Sequence, residues 1–213
     1  MKAINVAITS DLLCPWCWVG LRKLQQAAKV AHVEDQLQIT WQPYMLRPNA
    51  PPAGIPKGGT PESRVPPRLR RAGQQVGIDF TGLTDRTPNT TLFHATLHHL
   101  RRHELQTKFH EAVFEAYFTL GIYPDQAGLL KCAQKVGVEK TVAELYDDEQ
   151  KLKELSELVQ QEAYHASHYE AVNGVPSFAF NGEPAFSGAQ EVDTFARYLN
   201  HYSNEEDALA AAH

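Results

Sequence analysis

The sequence predicts an α/β fold interrupted by a long helical segment. Three observations carry that prediction: a strand-helix-strand pattern between Ala3 and Trp41, a strand-turn-strand-helix pattern after His168, and helical periodicity through most of the residues between.

Ala3 to Thr9 alternates, with Ile4, Val6 and Ile8 on one side, and reads as a strand. Ser10 and Asp11 turn the chain. From Pro15 to about His32 the apolar residues Val19, Leu21, Leu24, Ala27, Ala28 and Val30 form a helical stripe, and proline suits the first position of a helix because its missing N–H has no partner there anyway. Leu37 to Trp41 reads as a second strand. Pro43, Pro48, Pro51, Pro52, Pro56, Pro61, Pro66 and Pro67, with Gly54, Gly58 and Gly59 among them, then mark a long irregular connection. Helical periods follow over Leu69–Val76, Thr91–His103, Leu105–Phe118, Gln126–Val136 and Glu149–His168. Strand signals return at Ser177–Phe180, with a turn at Asn181-Gly182, a short strand over Pro184–Phe186 and a closing helix over Gln190–Asn200. The tail from Ser203 to His213 is expected to fray.

A β-α-β piece at one end and a β-β-α piece at the other compose one thioredoxin-like domain, residues 1–50 with 169–213, split by an all-helical insertion over 51–168. A chain of 213 residues buries a substantial core in either arrangement. Hydrophobic residues make up 43% and charged residues 21%, which excludes disordered, collagenous and disulfide-scaffold classes. A formal net charge of −5 argues against nucleic acid as a general partner. The one basic cluster, Arg64, Arg68, Arg70 and Arg71 beside Pro66 and Pro67, reads as a solvated helix face. No apolar run approaches the roughly 20 residues that cross a bilayer, and the strand at the N-terminus leaves no room for a secretion signal, so the expectation is a cytoplasmic protein with no membrane partner.

Three cysteines are too few for a disulfide framework, which directs attention to the close pair in Cys14-Pro15-Trp16-Cys17. A Cys-x-x-Cys pair that opens a helix sets its sulfurs near unpaired backbone N–H groups and the positive end of the helix dipole. That environment favours the Cys14 thiolate, the nucleophilic form, while Cys17 lies one turn inward, placed to resolve a mixed disulfide. Half of a zinc site is the competing reading, but a structural zinc site wants four ligands and there is no second cysteine pair, so no metal is expected. Trp16 and Trp18 flank the pair, either as an apolar lip for substrates or with one packed inward and the other partly exposed. Gly174-Val175-Pro176-Ser177 places a proline at the entrance to a strand, where an ordinary strand avoids it.

The segment Ser10-Asp11-Leu12-Leu13-Cys14-Pro15-Trp16-Cys17-Trp18-Val19-Gly20 resembles the active-site segment of the FrnE-like subgroup of the DsbA family. Gly77 to Phe80, Asn89-Thr90, Ala116 to Phe118, Gly174 to Phe178 and Ser187 to Gln190 resemble segments of that subgroup in the same order. The resemblance implies a thioredoxin fold with a helical insert and a thiol–disulfide oxidoreductase with Cys14 as attacking and Cys17 as resolving thiol. Pro15 and Trp16 between them, and Val175 and Pro176 on a facing cis-proline loop, are the implied substrate contacts. DsbA itself carries Pro-His between its cysteines where this chain has Pro-Trp, so its strongly oxidising character does not carry over.

Such chemistry needs no cofactor, with glutathione admitted as reductant or co-substrate. The implied partners are protein or small-molecule thiols and disulfides, with a homodimer compatible. The alternative is a glutathione-dependent isomerase or transferase, because 2-hydroxychromene-2-carboxylate isomerases and kappa-class glutathione transferases resemble the split architecture; those relatives usually have serine where Cys14 stands.

Outside the motif, His94 and His98, His99 and His103, and His165 and His168 have spacings that place each pair on one helix face, read as polar faces since Arg101 and Arg102 add positive charge. Cys132, among Leu129, Leu130, Ala133 and Val136, reads as a buried spectator. Asp11, Asn173 and Ser177 lie near the motif, either to bond a substrate or to shape turns.

Overall fold

A computed structural model describes residues 3–101, 104–169 and 172–210, the last seven of these as backbone alone. Its centre is a four-stranded sheet in the order β2-β1-β5-β6. β1 (Ile4–Ser10) runs parallel to β2 (Leu37–Pro43) and antiparallel to β5 (Ser177–Phe180), which pairs with β6 (Glu183–Ser187). β1 is one of the two inner strands, and the alternation read at the N-terminus is its buried face: Ile4, Val6 and Ile8 are buried, with Val6 opposite Ile39 on one side and Phe180 on the other. Asn181 and Gly182, both at positive φ (49° and 90°), make the tight turn between β5 and β6.

The crossover from β1 to β2 is α1 (Pro15–Val30), with Pro15 at the helix start; of its expected stripe Val19, Leu21, Leu24, Ala27 and Ala28 are buried, while Val30 in the last turn is exposed. α1 packs beside the last helix, α8 (Val192–Ala210). That helix runs past the expected limit at Asn200, its backbone helical to Ala210, while residues 211–213 of the tail expected to fray lie outside the described residues.

Between β2 and β5 lie α2 (Pro67–Gln75), α3 (Thr91–His99), α4 (Gln106–Phe118), α5 (Gln126–Val136), α6 (Glu139–Asp147) and α7 (Glu149–His168). α3 and α7 pack on each other and on β2, and α4 reaches α1. One detail departs from the all-helical reading of this segment, and one helix, α6, was not expected. A two-stranded antiparallel ladder, β3 (Ile55–Pro56) with β4 (Arg86–Thr87), ties the proline-rich connection to the approach to α3. α6 carries only Val142 and Leu145 as buried residues over nine positions, too short a periodic signal to stand out. α3 ends at His99, four residues before the expected limit; Arg102 and His103 lie outside the described residues.

Candidate active site

Cys14 is the residue that caps the N-terminus of α1. Its N–H donates to the Asp11 carbonyl at 3.1 Å, and its own carbonyl accepts from the Cys17 N–H at 3.0 Å, closing the turn that sets both sulfurs at the helix start. Both cysteines are thiols; Cys14 is 7% exposed and Cys17 fully buried. The hydrogen bond that the Cys17 thiol offers to the Cys14 sulfur holds Cys14 below its ordinary pKa, assisted by the N–H groups of Cys17 and Trp16 and opposed by burial and by the Asp11 carboxylate. Burial pushes Cys17 well above its ordinary value, and the same hydrogen bond and the charge on Cys14 push it further. Two thiols three residues apart are thus separated into one that ionises more readily and one that keeps its proton.

Across from the pair, the Val175–Pro176 peptide bond is cis, and the Cys14 thiol donates to the Val175 carbonyl at 3.3 Å. Pro176 is buried; its carbonyl accepts from Gly188 N–H at 2.7 Å, which fixes the loop to the end of β6. α1 approaches this loop through Gly20, a residue whose role its sequence position alone did not reveal.

The two tryptophans divide as one of the alternatives had them. Trp18 is buried among Phe80, Phe114 and Phe118, joining α1 to the helical segment. Trp16 is half-buried beside Pro15 on the active-site rim, with the Arg68 guanidinium 5.4 Å above its ring. Of the polar candidates, Asp11 is fully buried and shapes the site: its carboxylate accepts from the Leu46 N–H at 2.7 Å. Ser177 is the first residue of β5, paired with Thr9 and in hydrogen-bond contact with Ser187, and Asn173 is exposed.

Two surface readings need correction. His94 does not lie on a polar face; it is 3% exposed, with Nε2 3.4 Å from the Asp11 carboxylate, because α3 turns that side toward the sheet. His98, from the same pair, faces Glu162 of α7 at 3.8 Å instead. Arg64 is not part of a solvated helix: it ends a 3-10 turn, and its guanidinium donates to the carbonyls of Lys57, Gly58, Gly59, Gly82 and Thr84. Cys132 is buried, its thiol pushed up to about 11 by burial.

Beside the dithiol opens a cavity of about 420 Å³. Leu13 and Pro15 form its active-site wall, Leu69, Phe80 and Phe118 its apolar lining, and Lys57 and Arg64 bring positive charge to it. Periodicity assigned these residues to loops and helix faces; only the fold shows that the proline-rich connection returns to the start of α1.

Comparison with known proteins agrees with this geometry. The chain is 25% identical over 206 residues to YwbO of Bacillus subtilis, an uncharacterised protein, covering 92% of this chain and 96% of that one. The crystal structure of a probable DsbA oxidoreductase, SCO1869 from Streptomyces coelicolor, superposes with a TM-score of 0.78 at 20% identity, covering 95% of this chain and 91% of that one. The cytosolic disulfide reductase DsbM from Pseudomonas aeruginosa, solved with GSH, superposes with a TM-score of 0.69 at 18% identity, covering 94% and 99%. The family model of the DSBA-like thioredoxin domain matches residues 5–200, and the chain belongs to that family.

Proposed function

We propose that this protein is a thiol–disulfide oxidoreductase that works through a mixed disulfide on Cys14. One observation carries the reading: Cys14, held in its more acidic state at the start of α1, faces the carbonyl of Val175 on the cis-proline loop at 3.3 Å, with the protonated Cys17 directly behind it.

The Cys14 thiolate attacks one sulfur of a substrate disulfide, forming the mixed disulfide and releasing the first substrate thiolate, which takes a proton from solvent. Loss of the Cys14 charge removes both the repulsion and the hydrogen bond that keep Cys17 protonated. Cys17 then attacks the Cys14 sulfur as its proton passes, through solvent, to the second substrate sulfur, which leaves as a thiol, and a Cys14–Cys17 disulfide remains. The dithiol has lost two electrons and the substrate has gained them; the same steps in reverse oxidise a substrate dithiol. Pro15 and Trp16, next to Cys14 in the chain, and Val175 and Pro176 on the facing loop are the substrate contacts in this reading.

The segment similarities from Ser10 to Gly20 and from Gly174 to Gln190 favour the FrnE-like subgroup within the family. Residues 51–168 are read as the segment that shapes access to the dithiol, since Arg68 lies over Trp16 and the cavity beside Pro15 is lined from it. A cytoplasmic location is proposed with this chemistry, and among the described residues no helix is long and apolar enough to cross a membrane. Glutathione, bound in the DsbM structure, is the small thiol proposed as reductant or co-substrate.

The test is Cys17→Ser treated with a model disulfide and read by intact mass spectrometry. A stable adduct on Cys14, absent in Cys14→Ser, is the expected result. No adduct on Cys14 would overturn the two-thiol mechanism.

A further inference from the structure

We propose that His94, carried by α3, is a positioning residue for the dithiol: it balances the buried Asp11 carboxylate, whose negative charge would otherwise act on Cys14 in full. The inference rests on the oxidoreductase reading and adds to its site a residue from the helical segment between β2 and β5.

Asp11 stands at the join of β1 and α1 and is fully buried. Its backbone carbonyl accepts from the Cys14 N–H at 3.1 Å, so carboxylate and nucleophile share one turn. Carboxylate Oδ2 accepts from the Leu46 N–H at 2.7 Å. Oδ1 has no hydrogen bond among the described residues, and neither has His94 Nε2. These two unsatisfied atoms lie 3.4 Å apart, with His94 3% exposed and Asp11 not at all. A carboxylate taken out of water is costly unless an opposite charge or a donor meets it. Among the described residues, His94 is the one ion-pair partner that Asp11 has.

The other titrating groups nearby leave that task to His94. Asp11 opposes the ionisation of Cys14, against the Cys17 hydrogen bond that favours it, and Cys17 keeps its own proton. Burial, then the charges of Tyr123 and Asp11, hold the Tyr117 phenol of α4 in its neutral form. His110, also on α4, is the second buried imidazole; burial and then His94 hold its pKa well below the ordinary value, so it stays uncharged. Once Cys14 ionises, two negative charges stand at the start of α1, and the His94 ring faces one of them.

The fold fixes that ring in place. α3 packs on β2 and α7, and at its start the Asn89 side chain accepts from the Thr91 N–H at 2.9 Å and donates to the Ala50 carbonyl at 2.7 Å. Leu46 and Ala50 belong to the same connection after β2, so the two groups that meet the Asp11 carboxylate are tied to each other. A thiolate on Cys14 stabilises the reduced dithiol, and a group that offsets Asp11 therefore moves the Cys14–Cys17 couple toward its reduced form.

The experiment uses the full chain and reads the rate of iodoacetamide alkylation at Cys14 against pH in the parent, His94→Leu, Asp11→Asn and the double variant. His94→Leu should raise the Cys14 midpoint and lower the thiolate fraction below it about threefold, the size of a modest coupling within one network, with the plateau rate at high pH unchanged. In the Asp11→Asn background the same substitution should leave the midpoint where it is, since no carboxylate remains to balance. A merely structural role would change the plateau by exposing the sulfur, and would do so in both backgrounds. His94→Gln lacks the charge but keeps an N–H; it should raise the midpoint by less, and it carries the test where His94→Leu does not fold. A midpoint unmoved in every folded His94 variant, or raised equally in the Asp11→Asn background, overturns the role of His94. In glutathione redox buffers the parent should form a Cys14–Cys17 disulfide, and His94→Leu should favour it about threefold more. Absence of that disulfide in the parent overturns the oxidoreductase reading, while the alkylation midpoints still decide what His94 does.

Discussion

Gly20 and Pro176 approach so closely that a Cβ on the glycine would stand 3.1 Å from the proline Cγ, and equally 3.1 Å from Cζ of Phe178. The helix that presents the cysteines and the loop that faces them are thus seated against each other through a missing side chain. Gly20→Ala exchanges this tight contact for a helix preference of about 1 kcal/mol and should be close to neutral. Gly20→Val forces branched bulk against Pro176 and should cost about 1–3 kcal/mol in denaturant unfolding and slow adduct formation at Cys14. A Gly20→Val protein as stable and as reactive as the parent would show that the contact does not set the spacing of the site.

The two active-site thiols should separate in pH titrations. Cys14, held below its ordinary value by the Cys17 hydrogen bond, should be alkylated with a midpoint below that of a free cysteine, while Cys17 and Cys132 stay unreactive in the native protein. The sign for stability follows. A thiol whose folded pKa is lowered adds stability that is fully present above its unfolded value and is lost as pH falls through the folded one. Cys14→Ser should therefore remove a rise in stability on the alkaline side of the Cys14 midpoint. Peptide mapping after a brief pulse of iodoacetamide reads the order of reaction, and label appearing first on Cys17 or Cys132 would reverse the assigned roles.

Asp11 works against Cys14 ionisation through its charge while holding Leu46 through its hydrogen bond, and two substitutions separate these effects. Asp11→Asn keeps an oxygen for the Leu46 N–H and removes the charge, so the Cys14 midpoint should move lower still. Asp11→Ala removes both, and leaving that N–H without its partner should cost about 1–3 kcal/mol in addition. The midpoint is read by alkylation rate against pH and the stability by urea unfolding; an upward move of the midpoint in Asp11→Asn would contradict the electrostatic account.

The parts of this fold that were legible in the sequence are those where local chemistry and tertiary environment agree. Pro15 starts α1, Asn181-Gly182 turns the β5–β6 hairpin, and the apolar stripe of α1 is its buried face. The placement of Cys14 and Cys17 at the start of α1 was legible for the same reason, since Pro15 fixes where the helix begins; the Cys17 thiol as main cause of the Cys14 shift was not. Lys57, Arg64 and His94 were not, because each owes its environment to a distant segment. Arg64 bonds Gly82 and Thr84 across about 20 residues, and His94 meets Asp11 only because α3 packs beside β2. Charge in a sequence reads as solvated by default, and only long-range contacts reverse that.

His110 shows the same effect in its extreme form and gives a pH test of the core. It is fully buried on α4, with ring centroids 3.9 Å from Trp41, 4.4 Å from Phe114 and 5.0 Å from Phe93, and neither ring nitrogen has a hydrogen-bond partner among the described residues. Burial, and secondarily the nearby His94, holds its pKa well below the ordinary 6.5. Above about pH 6.5 the ring is neutral in both folded and unfolded chains and has no influence on the balance. As pH falls below that value the unfolded chain takes up a proton that the folded core refuses, so stability declines by up to about 1.4 kcal/mol per pH unit. His110→Leu, similar in volume and without a titrating group, should lose less stability than the parent between pH 6.5 and 5, whatever its stability at pH 7.5. Because every other titrating group is shared, the difference between the two unfolding curves isolates this one ring. Parallel stability profiles for the two proteins across that range would mean that the folded core accepts the proton after all.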